Sequence, residues 1–280
     1  MAQVLVLRVP PDDADAATGA LWGIGINALE ERLVDGTIEL RTVVGDAQLP
    51  GTVEALSARW SVAFETVDAE PAETWKAFAA PVDVDGVVLN PAWLTPPDQG
   101  VVVSIDPGAA FGLGDHPTTR LSTGLVARRT RSLVAGGARP RVLDVGCGTG
   151  VLAIVAAMVG ASDVVATDIS SAAVEVAESN VMANRVDDVV AVVDTPLGSI
   201  EGAFDIVVAN ILAPTLIEMA DDLRGRCCGT LIVSGLLEEQ MTRVEAAYQP
   251  WVVVERRVLD GWAALELSAD ERVDRRPSGQ

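Results

Sequence analysis

Two patterns of apolar and polar positions divide the chain. Over the first 67 residues the apolar runs are short and separated by turn signals. Residues 3–9 read as a strand. The stretch PPDDADAATGAL opens a helix, with Asp12 and Asp13 near its N-terminus, where acids suit the helix dipole. Residues 24–32 and 37–43 flank Asp35-Gly36, a hairpin signal. LPGTVEALSARW supplies a second helix and SVAFETV a last strand. The order β-α-β-β-α-β predicts a small ferredoxin-like α+β domain over residues 1–67.

From residue 141 the rhythm changes. The buried-strand patterns RVLDVG, DVVATD, VVAVV, FDIVVAN and GTLIVS alternate with segments of helical length. Those segments are VLAIVAAMVG, SAAVEVAESNVMAN and residues 214–223 and 238–247. Such alternation predicts an α/β, doubly wound, Rossmann-like parallel sheet. WVVVERRV and WAALELS follow with no helix between them, so they are expected to form an antiparallel hairpin at the sheet edge.

Between the two patterns lies a Pro-, Ala- and Asp-rich stretch, residues 68–100, read as a linker. A short helix near 73–79 and some strand pairing are expected in it, with Trp75 and Trp93 as packing anchors. The expected organisation is thus a recognition domain at 1–67, a linker at 68–100, a catalytic domain at 101–270 and a frayed polar tail at 271–280.

Composition narrows the function. A net charge of −20 repels nucleic acid phosphates and favours basic partners, and it also keeps a protein soluble. No direct nucleic acid binding is expected. The start, MAQVLVLRVPPDD, lacks the basic region of a signal peptide, and the apolar run VLAIVAAMVGA is too short to span a bilayer. A cytoplasmic protein is expected. Cys147, Cys227 and Cys228 have neither metal-ligand spacing nor the even count of a disulfide framework, so no metal site is expected.

The chemistry gathers where the first parallel strand meets its helix. In LDVGCGTG, Gly146, Gly148 and Gly150 form G-x-G-x-G, a turn that lets a ligand approach the backbone. A dinucleotide fingerprint would place its third glycine at residue 151, which is Val151. Asp144 precedes the turn and suits a cationic amine better than a pyrophosphate. Asp168, in VVATD, ends the second strand, where a carboxylate can accept hydrogen bonds from ribose hydroxyls. Loop and acids together point to S-adenosyl-L-methionine as cofactor, hence to a class I methyltransferase domain.

Asn210 ends the fourth strand, FDIVVAN, at the carboxyl edge of the sheet. Its side-chain carbonyl can hold an amine by its hydrogens and aim the nitrogen lone pair. The competing reading makes Asn210 the cap of the helix that follows. Asp194, in VVDTPLG, ends the third strand. A contact to the adenine amine and a turn-forming Asp-Thr-Pro both fit it.

Taken together, AFGLGDHPTTRL, LDVGCGTGVLAI, ATDIS, ANILAP and LIVSGLLEEQMTRVEAAY resemble PrmA-type ribosomal protein methyltransferases, the family that methylates large-subunit ribosomal protein eleven. The resemblance covers nearly the whole chain. It implies transfer of several methyl groups to lysine side-chain or N-terminal amines of a basic ribosomal protein. It implies that the segment before residue 117 folds over the cofactor and that Thr119 contacts the cofactor. His116, the only histidine, then falls in that lid. A positioning role is expected for it, and a proton-acceptor role is the alternative. The chain carries Leu113 and Asp115 where the family carries threonine. Three rival functions are weighed: lysine methylation of a different protein, methylation of a nucleic acid amine, and a cofactor-binding module without catalysis, which the presence of both Asn210 and Thr119 disfavours. The nucleic acid reading is disfavoured by the charge and by the absence of an aromatic after Asn210.

Overall fold

The computed structural model describes residues 2–22, 30–44, 56–67, 79–108 and 110–269. The chain divides into two compact units, Met1–Ala79 and Ala80–Gln280.

The first unit carries β1 (Ala2–Val9), α1 (Ala14–Trp22), β2 (Glu30–Val34), β3 (Thr37–Val44) and β4 (Ser61–Val67). Its sheet order is β2-β3-β1-β4, every pair antiparallel, which is the ferredoxin-like arrangement. Asp35 and Gly36 take φ of 50° and 78°, as a tight hairpin turn demands. Leu5, Leu7 and Val9 project from one face of β1 onto Leu21, Ile38, Leu40, Leu56 and Trp60. Most of the expected second helix, and the start of the expected strand 24–32, lie outside the described residues.

The second unit begins with β5 (Val82–Val84), β6 (Val87–Pro91) and β7 (Val101–Ile105). They form a three-stranded sheet in the order β5-β6-β7. β5 and β6 thus fall inside the stretch read from sequence as a linker, and Trp93 follows them. The helix expected near 73–79, Trp75 and the tail 271–280 lie outside the described residues.

The remaining elements follow in chain order: α2 (Pro117–Ala135), β8 (Arg141–Val145), α3 (Val151–Met158), β9 (Asp163–Thr167), α4 (Ser171–Ala183), β10 (Val190–Val193), β11 (Phe204–Asn210), α5 (Ala213–Glu218), α6 (Ala220–Arg226), β12 (Cys227–Leu237), α7 (Met241–Ala247), β13 (Val252–Leu259) and β14 (Trp262–Ser268). The seven-stranded sheet runs β10-β9-β8-β11-β12-β14-β13. Strands β8 to β12 are mutually parallel, and β14 and β13 add antiparallel. The expected terminal hairpin is present, with its second strand inserted between β12 and its first. The single helix expected over 214–223 is two short helices that meet at Met219.

Alternation along the strands sorts the core into two layers. Val142, Val164, Ile206, Val208, Ile232 and Ala264 pack under α2, α3 and α4. Leu143, Val207, Leu231, Val233 and Leu265 pack on the other face with Leu216, Leu223 and Val244. A fully buried carboxylate, Glu266 on β14, fastens α2 to the sheet. It accepts from Arg128 at 2.6 Å and from Arg129 Nε at 2.5 Å. All three cysteines are free thiols. Among the described residues, no helix is long and apolar enough to cross a membrane, and no group of ligands can hold a metal ion.

Candidate active site

The carboxyl ends of β8, β9, β11 and β12 share one edge, where open α/β sheets place their ligands. Gly146, Gly148 and Gly150 join β8 to α3 with φ of 70°, 53° and 78°. The region favours glycine, and close neighbours exclude a side chain as well. A Cβ on Gly146 would meet Ile211 Cγ2 at 2.5 Å, and one on Gly148 would meet the carbonyl oxygen of Phe111 at 2.5 Å.

The turn is wired internally. The N–H groups of Gly146 and Cys147 donate to the Thr167 carbonyl at 2.8 and 3.0 Å. Gly148 N–H donates to Asp168 Oδ2 at 3.0 Å, and Thr149 N–H to the Phe111 carbonyl at 3.0 Å. Asp168 also accepts from Ser170 N–H at 2.9 Å. The backbone donors of Gly146, Cys147, Gly148 and Thr149 are therefore occupied by the protein. Asp168 sits where sequence placed it, at the end of β9, and each of its carboxylate oxygens retains a lone pair for a further donor.

Asp144 is buried beneath the turn. Its Oδ2 accepts from Ala153 N–H at 3.1 Å and so caps α3, whose own N-cap, Gly150, has no side chain to offer. Oδ1 has no partner. Burial raises the carboxyl to about 7, opposed by the Ala153 hydrogen bond, and the charge of Asp168 pushes in the same direction as burial. Burial likewise drives the neighbouring Cys147 thiol well above its ordinary value, so it stays protonated.

Asn210 ends β11 beside Ser234 of β12. It shares the face of Ile206 and Val208, the face that α2 covers. Its Oδ1 is buried and unpartnered. The following helix starts at Ala213 with Leu212 as its N-cap and no side-chain cap, so Asn210 does not cap it. Thr119, in the first turn of α2, is fully buried with a hydroxyl that also lacks a partner. Thus Thr119 Oγ1, Asp144 Oδ1 and Asn210 Oδ1 all lie on the α2 side of the sheet with unmet hydrogen-bonding capacity. Buried oxygens of this kind are costly unless something satisfies them. A donor with a cationic amine, a sulfonium and hydroxyl groups meets that need, so the residues present fit S-adenosylmethionine. Asp194 lies just beyond β10 and is exposed.

His116 is the N-cap of α2. Its Nδ1 accepts from Thr118 N–H at 3.3 Å and lies 2.7 Å from Thr118 Oγ1, which fixes the neutral tautomer with the proton on Nε2. The ring stands edge-on to Phe111 and Trp262, with centroids 5.2 and 4.9 Å away. Burial lowers its pKa from 6.5, against the charge of Asp115. Leu113 packs onto the core, Asp115 is exposed, and a Cβ on Gly114 would meet Leu89 at 2.7 Å.

Sequence reasoning missed three residues here. The Thr149 hydroxyl donates to the Gly112 carbonyl at 2.8 Å and holds the overlying segment. Asn180, on α4, reaches the same loop. Ile169 is 94% exposed directly after Asp168, a large apolar side chain left bare at the site's rim. The signal for Ile169 was its position in ATDIS; for Asn180 it was the pair Asn180/Asn184 at helical spacing.

Residues 42–270 match the family described as Ribosomal protein L11 methyltransferase (PrmA). A ribosomal protein L11 methyltransferase of Cupriavidus necator is 34% identical over 298 aligned positions, covering 94% of this chain and 96% of that one. One from Citrifermentans bemidjiense is 40% identical over 201, covering 70% of this chain and 66% of its own length. The crystal structure of ribosomal protein L11 methylase from Lactobacillus delbrueckii subsp. bulgaricus superposes with a TM-score of 0.61 at 31% identity, over 68% of this chain and 98% of that one.

Proposed function

The chain belongs to the ribosomal protein L11 methyltransferase (PrmA) family, and we propose that it transfers methyl groups from S-adenosylmethionine to lysine side-chain or N-terminal amines of ribosomal protein L11. The observation that carries this reading is the set of unpaired buried oxygens on Thr119, Asp144 and Asn210 on the α2 side of the sheet.

When bound, the cofactor supplies a methyl carbon on a positive sulfonium, open to in-line attack by a neutral amine. In our reading Gly146 gives it backbone access, Asp168 takes its ribose hydroxyls, Thr119 and Asp144 take its polar groups, and Ile169 covers its apolar face. Asp144 suits a cationic amine because its carboxyl, held near 7 by burial, ionises readily beside a positive charge. Asn210 aligns the incoming amine through its Oδ1, and its neutrality leaves the nitrogen lone pair free. Alignment of this kind contributes as much as about 7–11 kcal/mol to such reactions. His116 holds the N-terminus of α2, and with it Thr119, in place. An open cleft of about 390 Å³ lined by Leu237, Glu238, Glu239 and Gly261 lies along the same sheet edge, and its exposed carboxylates favour approach of a cationic substrate. The small first unit is the proposed recognition domain, and the cytoplasm, where ribosomes are made, is the proposed location.

The direct test is mass spectrometry of purified L11 after incubation with this protein and S-adenosylmethionine. Mass gains in whole methyl steps on L11 are expected. Methylation of another protein in a cell lysate, with none on L11, would assign a different substrate.

A further inference from the structure

Helix α4 presents two asparagines one turn apart to the free edge of β7. Asn184 accepts from Ser104 N–H at 2.8 Å and donates to the Ser104 carbonyl at 2.7 Å. Asn180 repeats this on Asp106, accepting from its N–H at 3.0 Å and donating to its carbonyl at 2.9 Å. Four helical residues advance about 6 Å and two strand residues about 6.6 Å, so the two amides fall in step with alternate strand residues. Side chains thus take the place of a neighbouring strand.

Asn180 does one thing that Asn184 does not. Its Nδ2 also donates to the Thr149 carbonyl at 3.0 Å, inside the glycine turn. Thr149 in turn grips the segment that leaves Asp106, through Phe111 at 3.0 Å and Gly112 at 2.8 Å. Asn180, 2% exposed, therefore ties the start of the overlying segment to the loop residue that holds its middle.

We propose that Asn180 and Thr149 form a latch that positions residues 106–108 and 110–112 over the glycine turn and thereby sets cofactor affinity. The proposal rests on the cofactor reading above. Neither residue touches the reacting atoms. Both act on the height of the segment, which leads through His116 into the helix bearing Thr119. With a Cβ-excluding contact between Gly148 and Phe111, the two backbones have no slack to absorb a shift.

The matched variants are Asn180→Ala and Asn184→Ala in the full-length protein, read by calorimetric titration with S-adenosylhomocysteine. Asn180→Ala removes a buried amide pair and Asn184→Ala a partly buried one, and both lower the melting temperature. Only Asn180→Ala is expected to weaken binding, by about tenfold, the size of one net hydrogen bond. Asn184→Ala stays within about twofold of wild type, because its amide reaches Ser104 and the Asn180 carbonyl and not the loop residue Thr149. Thr149→Val, nearly the same shape without the hydroxyl, weakens binding in the same direction. It also raises the KM for S-adenosylmethionine while leaving the KM for L11 unchanged. Equal affinities for Asn180→Ala and Asn184→Ala overturn the latch. Where Asn180→Ala does not fold, wild-type affinity in Thr149→Val overturns it. Wild-type protein that fails to bind S-adenosylhomocysteine overturns the cofactor reading itself and this proposal with it.

Discussion

Asp144 reaches across the glycine turn to Ala153, whose N–H it accepts at 3.1 Å. One buried carboxylate thus caps α3 with one oxygen and keeps the other unpartnered, the group we propose meets the cofactor's amine. Its carboxyl is raised from 3.8 to about 7 by burial. The folded chain therefore holds this proton more tightly than the unfolded chain does. The stability it gives is complete below pH 3.8, declines as pH rises, and is gone above about pH 7. Asp144→Asn keeps an acceptor for Ala153 and removes the charge. It should stabilise the ligand-free protein at pH 8 by about 2–4 kcal/mol, at roughly 1.4 kcal/mol per unit, and have no such effect at pH 4. Thermal unfolding at the two pH values checks this, and S-adenosylmethionine affinity should fall in the same variant.

His116 caps α2 only while its ring is neutral, because Nδ1 must accept from Thr118. Its pKa is lowered by burial, so the cap's stability is present above the ordinary 6.5 and is lost as pH falls through the lower folded value. Asn is a good N-cap. His116→Asn should therefore cost less than about 0.5 kcal/mol, against about 1 kcal/mol for His116→Ala. Turnover of His116→Asn should keep the wild-type pH dependence above pH 7. A collapse of turnover with an altered pH profile would make His116 the proton acceptor instead.

Glu266 is fully buried between Arg128 and Arg129, and Glu255 on β13 pairs with the same Arg128 at 2.5 Å. Removing the carboxylate leaves two guanidiniums without their inner partner. Glu266→Ala should destabilise by about 3 kcal/mol in urea unfolding, since breaking one side of a buried pair strands the other. Replacing the partly exposed Glu255 should cost much less.

Gly148 meets the backbone of Phe111 with no room for a methyl group. Gly148→Ala combines that clash with a φ of 53°, which a residue with a Cβ adopts at a cost of about 1–2 kcal/mol. The segment above the turn must move, and cofactor binding should weaken more than global stability. Paired calorimetric titration and thermal unfolding separate the two effects.

The glycine turn, Asp168 and Asn210 were legible because alternation and turn chemistry are local. Each follows from the few residues around it. The region after residue 80 was not. Asp85-Gly86 is a hairpin turn with φ of 53° and 76°, yet the prolines around it read as a linker. The place of β14 between β12 and β13 depends on partners far along the chain, which periodicity does not reveal. The family resemblance put His116 just before residue 117, whereas its capping of α2 depends on a ring orientation, edge-on to Phe111 and Trp262, that only the fold supplies. Asn180 reads as an ordinary polar helix position. Its partner Asp106 is 74 residues away in sequence, and only the fold brings them together.

In the proposed reaction Asn210 aligns an amine against the methyl donor held by the glycine turn. The most direct measurement is single-turnover methyl transfer to L11 at saturating S-adenosylmethionine, for wild type and Asn210→Ala. Transfer by wild type and a loss of about a hundredfold or more in the variant are expected. Unchanged transfer by Asn210→Ala would contradict that role.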